Sequence, residues 1–138
     1  MCIRDRLKTD FSPSSGEKAI LLEDFRWRKS QIKATSLLAN VIYRSEAKHQ
    51  EVFETILFED GFITEGAVSN VFCTIESKII TPPLTENILP GVTRKVILEL
   101  IQETSLEYEE TKIPVDSCLL YTSPSPRDRS LSRMPSSA

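Results

Sequence analysis

The sequence predicts an α+β fold built on a mixed sheet, and three observations point there. Two stretches place apolar residues at helical spacing, one around Leu37, Leu38, Val41 and Ile42 and one around Val96, Ile97, Leu100 and Ile101. Several short runs rich in β-branched and aromatic residues read as strands. Asp60-Gly61 sits between two of those runs, and Asp-Gly favours a tight hairpin because that turn needs positive φ. The resulting order, β-α-β-β-β-β-α-β, departs from the strict alternation of a doubly wound parallel sheet.

Taken along the chain, a Ser-Pro-Ser-Ser-Gly turn precedes a predicted strand from Lys18 to Trp27. A helix is expected from about Thr35 to His49, its apolar stripe opposite Glu46, Lys48 and His49. Phe53 to Phe58 alternates apolar and polar residues, and the Glu59-Asp60-Gly61 turn returns the chain to a strand at Phe62 to Thr64. Further strands are expected over Ser69–Ile75 and Lys78–Thr81, with Pro82-Pro83 ending them. A second helix is predicted from Gly91 to Thr104 and a last strand from Tyr108 to Ile113.

The 138 residues suffice for one domain. With 40% hydrophobic and 27% charged residues, the composition is that of a globular protein. No unbroken apolar run exceeds four residues, as in Ala19–Leu22, so no membrane-spanning helix or secretory segment is expected. The ends do not share the pattern of the middle. Ser, Pro and Arg supply twelve of the twenty-one residues in 118–138, and the head, residues 1–6, is a short charged piece. Both resemble peptides obtained when sequencing-adaptor DNA is translated, and both are expected to lie outside the fold, which is assigned to residues 7–117. The head and tail hold five arginines and two aspartates; without them the net charge moves from −3 to −6. That balance gives no support to a nucleic-acid ligand. Cys2 and Cys118 fall in the ends, and Cys73, in Val71-Phe72-Cys73, reads as a small core hydrophobe. With one histidine, His49, and no cysteine cluster, no metal site is expected. Trp27 and Tyr43 read as core or partly buried aromatics.

Four features carry chemistry. Lys33 lies at a strand-to-helix corner, where a lysine either points into a cleft as a source of a Schiff base or simply faces water. Glu65 follows a hairpin strand and precedes Gly66. Leu89-Pro90-Gly91-Val92-Thr93-Arg94 opens the second helix, whose free N–H groups and positive end suit a phosphate; the plainer alternative is a cap by Thr93. Ser69-Asn70 reads most simply as the entry to a strand, with Asn in a turn.

The three series IKATSLLANV, DGFITEGAVSNVF and TPPLTENILPGVTRKVILEL, in that order, resemble the fold-type IV (class IV) aminotransferases that use pyridoxal 5'-phosphate, and among them the D-amino-acid aminotransferases. The resemblance spans about residues 16–114 and implies the barrel-like mixed sheet of that family's large domain, here incomplete. It further implies that Lys33 forms the cofactor aldimine and acts as general base, and that Glu65 lies against the pyridine nitrogen. Leu89 would pack on the ring, and Gly91, Val92 and Thr93 would hold the phosphate. The implied partners are an amino acid and a 2-oxo acid, in a cytoplasmic homodimer. Ala67 and Val68 stand where such enzymes often carry hydroxyls. The family's small N-terminal domain and the end of its large domain beyond Asp116 have no counterpart here, so this chain alone is expected to be inactive. Branched-chain L-amino-acid aminotransferases and aminodeoxychorismate lyases share the scaffold and are the alternatives, the short stretch after Lys33 favouring the D-amino-acid group.

Overall fold

The structure is a computed structural model that describes residues 16–75 and 77–120. The head with Cys2 and the tail from Tyr121 onward lie outside the described residues. Two three-stranded sheets form the frame. In the first, β1 (Ala19–Glu23) runs parallel to β2 (Glu54–Glu59), and β2 pairs antiparallel with β3 (Phe62–Gly66). In the second, β4 (Cys73–Ile75) pairs antiparallel with β5 (Lys78–Thr81), and β5 runs parallel to β6 (Tyr108–Glu110). Each parallel pair is joined by a helix, α1 (Leu38–His49) and α2 (Val92–Gln102) respectively, as a parallel connection requires. Each sheet is therefore mixed, as expected, but the strands form two sheets.

The sheets meet through residues 111–115. Thr111 N–H donates to Thr81 O at the edge of the second sheet (3.1 Å). Two residues later Ile113 O accepts from Ile63 N–H on β3 (2.9 Å), and Val115 N–H donates to Gly61 O (3.0 Å). This crossing explains why β6 stops at Glu110 instead of continuing to Ile113: the chain leaves one ladder to join another. Ile113 is buried at the join. A short helix, α3 (Val115–Leu120), follows Pro114 and runs past the expected junction at 117; the sequence reading contained no helix there.

The Asp60-Gly61 hairpin is as expected, both residues having positive φ (51° and 79°). The helix faces are not. Leu38, Val41 and Ile42 are exposed, Leu38 by 73%, and α1 buries Tyr43 and Ala47 instead. Tyr43 fixes that rotation. Its hydroxyl donates to Glu23 O and accepts from Phe25 N–H, each at 2.7 Å, while its backbone carbonyl accepts from the Thr55 hydroxyl (2.9 Å). Its ring, 4.5 Å from that of Phe25, packs in a cluster with Leu57 and Ala67. Asn40 adds a bond to Ala67 O at 2.7 Å. Likewise α2 buries Arg94, Leu98 and Ile101, at i, i+4 and i+7, and leaves Val92, Val96 and Leu100 exposed. Arg94 reaches Pro82 O (3.0 Å) and Glu110 (2.6 Å). Trp27 is 54% exposed, contrary to the core reading, and Cys73 is half-buried.

Candidate active site

The first strand ends early for a reason that shapes the site. Asp24 N–H makes the last bond to β2, at Phe58 O (2.8 Å). The Asp24 carboxylate then accepts from Arg26 N–H two residues on (3.1 Å), an Asx-type turn that breaks the strand and swings Arg26 inward. Its guanidinium holds Asp24 at 2.9 and 2.6 Å and Glu65 at 2.5 Å, and donates to Asn87 O at 3.0 Å. These charged side chains are almost wholly buried, so the pairing is what makes their burial tolerable. Desolvation works against the Arg26 charge, but the hydrogen bonds to Asp24 and Glu65 outweigh it and raise its pKa. Burial pushes the Glu65 carboxyl above the usual carboxylate range, with the Arg26 hydrogen bond pulling the other way.

Glu65 lies within β3, which extends through Gly66, two residues beyond the expected end of that strand. It is 4% exposed. Beyond Arg26, its second oxygen accepts from the Asn70 amide and from Leu89 N–H, both at 3.1 Å. A carboxylate offers about four acceptor positions. Among the described residues three are filled by these donors, which leaves one on Oε1.

Asn70 also donates to Leu89 O (2.9 Å), so the strand expected from Ser69 begins only at Cys73. Ser69 is likewise drawn away, its hydroxyl donating to the buried Glu54 (2.8 Å). Gly91 is the residue before α2 and has no room for a side chain: a Cβ there would stand 2.1 Å from Asn70 Oδ1. No side chain caps α2, so the plainer expectation of a Thr93 cap does not hold; Gly91 O accepts from Lys95 N–H (3.0 Å). The N–H groups of the first turn are left for an outside acceptor. Val92 and Thr93 are exposed on that turn.

Lys33 is exposed, on the irregular stretch between β1 and α1. The expected helix start at Thr35 is displaced to Leu38 because the backbone there makes i to i+2 contacts, Ala34 N–H to Ile32 O (2.8 Å) and Leu37 N–H to Thr35 O (2.9 Å). Gln31 N–H donates to Glu86 O (3.1 Å), which ties the lysine loop to the segment leading to Leu89. The structure thus joins Glu65 and Leu89 directly through Asn70, which also lies against Gly91. Lys33 is tied to that region only by way of Gln31, two residues earlier, and the described bonds do not bring its own side chain to the others. Sequence reasoning missed Arg26 and Asn70. The Asp-x-Arg spacing at 24–26 was a readable turn signal; nothing in the sequence marked Asn70 as more than a turn residue. Among the described residues, no group of His, Cys, Asp and Glu is arranged to hold a metal.

The comparisons with known proteins bear on the family and the fold. Residues 9–119 match the amino-transferase class IV family. The chain is 39% identical over 112 residues to a D-alanine aminotransferase of Bacillus licheniformis, covering 81% of this chain and 40% of that protein. It is 36% identical over 101 residues to a D-alanine aminotransferase of Staphylococcus epidermidis, covering 73% of this chain and 36% of that protein. Among solved structures, a branched-chain amino acid aminotransferase of Escherichia coli superposes with a TM-score of 0.65 at 29% identity, over 74% of this chain and 36% of that one. A fold IV transaminase of Curtobacterium pusillum gives 0.67 at 22% identity, over 74% of this chain and 39% of that one, which bears on the fold alone. The chain spans about two fifths of the length of the curated relatives it matches. With the α+β frame, the pattern of its motifs and a family match across most of its length, the chain belongs to the class IV amino-transferases.

Proposed function

We propose that the protein carrying this chain is a pyridoxal-phosphate-dependent transaminase, moving an amino group from an amino acid of the D-alanine kind to a 2-oxo acid. The observation that carries the reading is the buried Glu65 carboxylate, held by Arg26, Asn70 and Leu89 beside the uncapped start of α2, in a chain 39% identical to a D-alanine aminotransferase. The residues present suit the cofactor. Glu65 keeps one acceptor position that would suit a protonated ring nitrogen, and Leu89, one hydrogen bond from Glu65, would pack on the ring. The amides that follow Gly91, with the Thr93 hydroxyl, suit a phosphate, and no side chain caps that helix start.

When bound, the cofactor supplies an electron sink for charge that develops at the substrate Cα. Lys33, exposed and on a loop, is the residue that would hold the cofactor through its amine and would take the proton from the substrate Cα. The Glu65 charge, steadied by Arg26, would hold a proton on the ring nitrogen from a position fixed in advance. This reading assigns residues 7–117 to part of the cofactor-bearing domain and leaves residues 1–6 and 118–138 out of it. The same reading takes the complete protein to be a cytoplasmic homodimer; the described residues contain no helix long and apolar enough to cross a membrane.

Borohydride reduction in the presence of pyridoxal phosphate, followed by peptide mapping, is expected to label Lys33. A label on Lys29, Lys48 or Lys95 instead would overturn the assignment. The substrate class is decided by assaying D-alanine and L-leucine with 2-oxoglutarate in a complete-length protein. Preference for L-leucine would favour the branched-chain reading, which the 29% identity to the Escherichia coli enzyme keeps as the second one. The 138-residue chain itself is expected to turn over poorly, because substrate-orienting contacts worth roughly 7–11 kcal/mol in oriented reactions would come from outside it.

A further inference from the structure

We propose that Asn70 is a positioning residue that locks the Glu65 carboxylate to the 89–91 segment, so that the two ends of the site keep one fixed spacing. The inference rests on the cofactor reading above for its purpose, and on geometry for its existence. The Asn70 amide has two N–H groups. Its Nδ2 atom lies 3.1 Å from Glu65 Oε2 and 2.9 Å from Leu89 O. Leu89 N–H then donates to the same Glu65 oxygen at 3.1 Å, which closes a circuit of three hydrogen bonds. The three members come from β3, from the connection between β3 and β4, and from the loop ahead of α2. Gly66 N–H to Ser69 O (2.7 Å) and Arg26, between Glu65 and Asn87 O, bridge the same parts, and Asn70 is the side chain that bonds residues 65 and 89 at once.

The other face of the amide completes the lock. Asn70 Oδ1 occupies the space where a side chain at residue 91 would begin, so Gly91 lets the start of α2 settle directly on Asn70. Other residue types at position 70 fail on chemistry. Aspartate has no N–H and would bring a second negative charge against Glu65 and the Leu89 carbonyl. Serine has one donor for two acceptors, and glutamine is one methylene too long for the space against Gly91. The buried Arg94 anchors α2 as well, but to Pro82 and Glu110 rather than to Glu65. Arg26 ties the other Glu65 oxygen to Asn87 O, two residues before Leu89, while Asn70 and Leu89 N–H hold Oε2 to residue 89 itself.

The test uses the 138-residue chain and its Asn70→Ala and Asn70→Asp variants. By NMR, the Leu89 amide in Asn70→Ala is expected to exchange at least roughly tenfold faster, with the strand amides of Leu57 and Ile63 unchanged. The Glu65 carboxyl should titrate higher in Asn70→Ala, which loses a donor to the charged form, and higher still in Asn70→Asp. Absorbance titrations then compare pyridoxal phosphate with pyridoxal, which lacks the phosphate. A spacing lock predicts that Asn70→Ala weakens pyridoxal phosphate about tenfold and pyridoxal less, because only the first spans both ends; a merely structural role would lower both alike. Unchanged Leu89 exchange and Glu65 titration would overturn the proposal, and so would equal losses for the two probes. Failure of the unsubstituted chain to bind either probe would overturn the cofactor reading, the lock itself still being decided by exchange and titration. If Asn70→Ala does not fold, Asn70→Ser, with one donor retained, carries the same comparison.

Discussion

Glu65 and Lys33, the two groups assigned the ring nitrogen and the covalent anchor, are held in opposite ways. Glu65 sits in a strand, almost wholly buried, with an ion pair to Arg26 and two further donors on its second oxygen. Lys33 is exposed on an irregular loop, fastened nearby by the Gln31 to Glu86 backbone bond and by the surface pair of Lys29 with Glu86 at 2.7 Å. The difference teaches a division of labour. A buried carboxylate that is to stay ionised needs fixed donors such as Arg26 to offset its desolvation, whereas an amine proposed to bond and release a cofactor needs freedom to move. Substitutions at the first should therefore disturb the fold, and substitutions at the second only the chemistry.

The sharpest test of that contrast is Lys33→Ala. In a complete-length protein it should lower turnover by roughly 10⁴-fold or more, while the melting free energy of the chain stays within about 0.5 kcal/mol, as for a surface change. A large loss of stability in denaturant titration would show that the loop is more tightly built than its exposure suggests. Arg26→Met should do the reverse. It strands the buried Asp24 and Glu65 carboxylates, and urea unfolding should show a loss of about 3–5 kcal/mol. Glu65→Gln keeps the shape without the charge; turnover measured by coupled assay should fall on the order of 10²–10³-fold.

The smallest effect concerns the anchor of α1. Tyr43→Phe leaves Glu23 O and Phe25 N–H without their hydroxyl partner and should cost about 1–3 kcal/mol in thermal or urea unfolding. Burial raises the Tyr43 pKa above its ordinary value of 10.0, so the native state holds this proton more tightly than the unfolded chain does. The corresponding stability is fully present below pH 10.0 and is lost as pH rises past it through the folded value. Stability curves between pH 9 and 11 should therefore fall more steeply for the parent chain than for Tyr43→Phe.

Much of this molecule was legible where the signal was local. Asp60-Gly61 gave the hairpin because both residues tolerate positive φ, and the 78–81 strand stood out between Glu76-Ser77 and Pro82-Pro83. Lys33, Glu65 and the 89–93 series were legible as candidates because their order and spacing form a joint pattern. The helix faces were not, because periodicity counts apolar residues without knowing where the sheet lies. In α1 the choice was made by a phenol with hydrogen bonds to Glu23 and Phe25, which rotates Leu38 and Val41 outward. Asn70 was illegible for a related reason: its second partner, Leu89, lies 19 residues away, and only the fold brings them together.

The crossing at residues 111–115 has a consequence for how the chain is made. The outer edge of β3 pairs with Ile113 and Val115, about 50 residues downstream of Ile63. At a synthesis rate of roughly 5–20 residues per second, several seconds separate the appearance of that edge from the arrival of its cover. During this interval the strand bearing Glu65 presents unsatisfied backbone groups to the surroundings, a template for pairing with other chains. A nascent polypeptide halted before Ile113 would keep that edge open indefinitely, so ribosome stalling upstream of this point should favour insoluble product, and release beyond it should not.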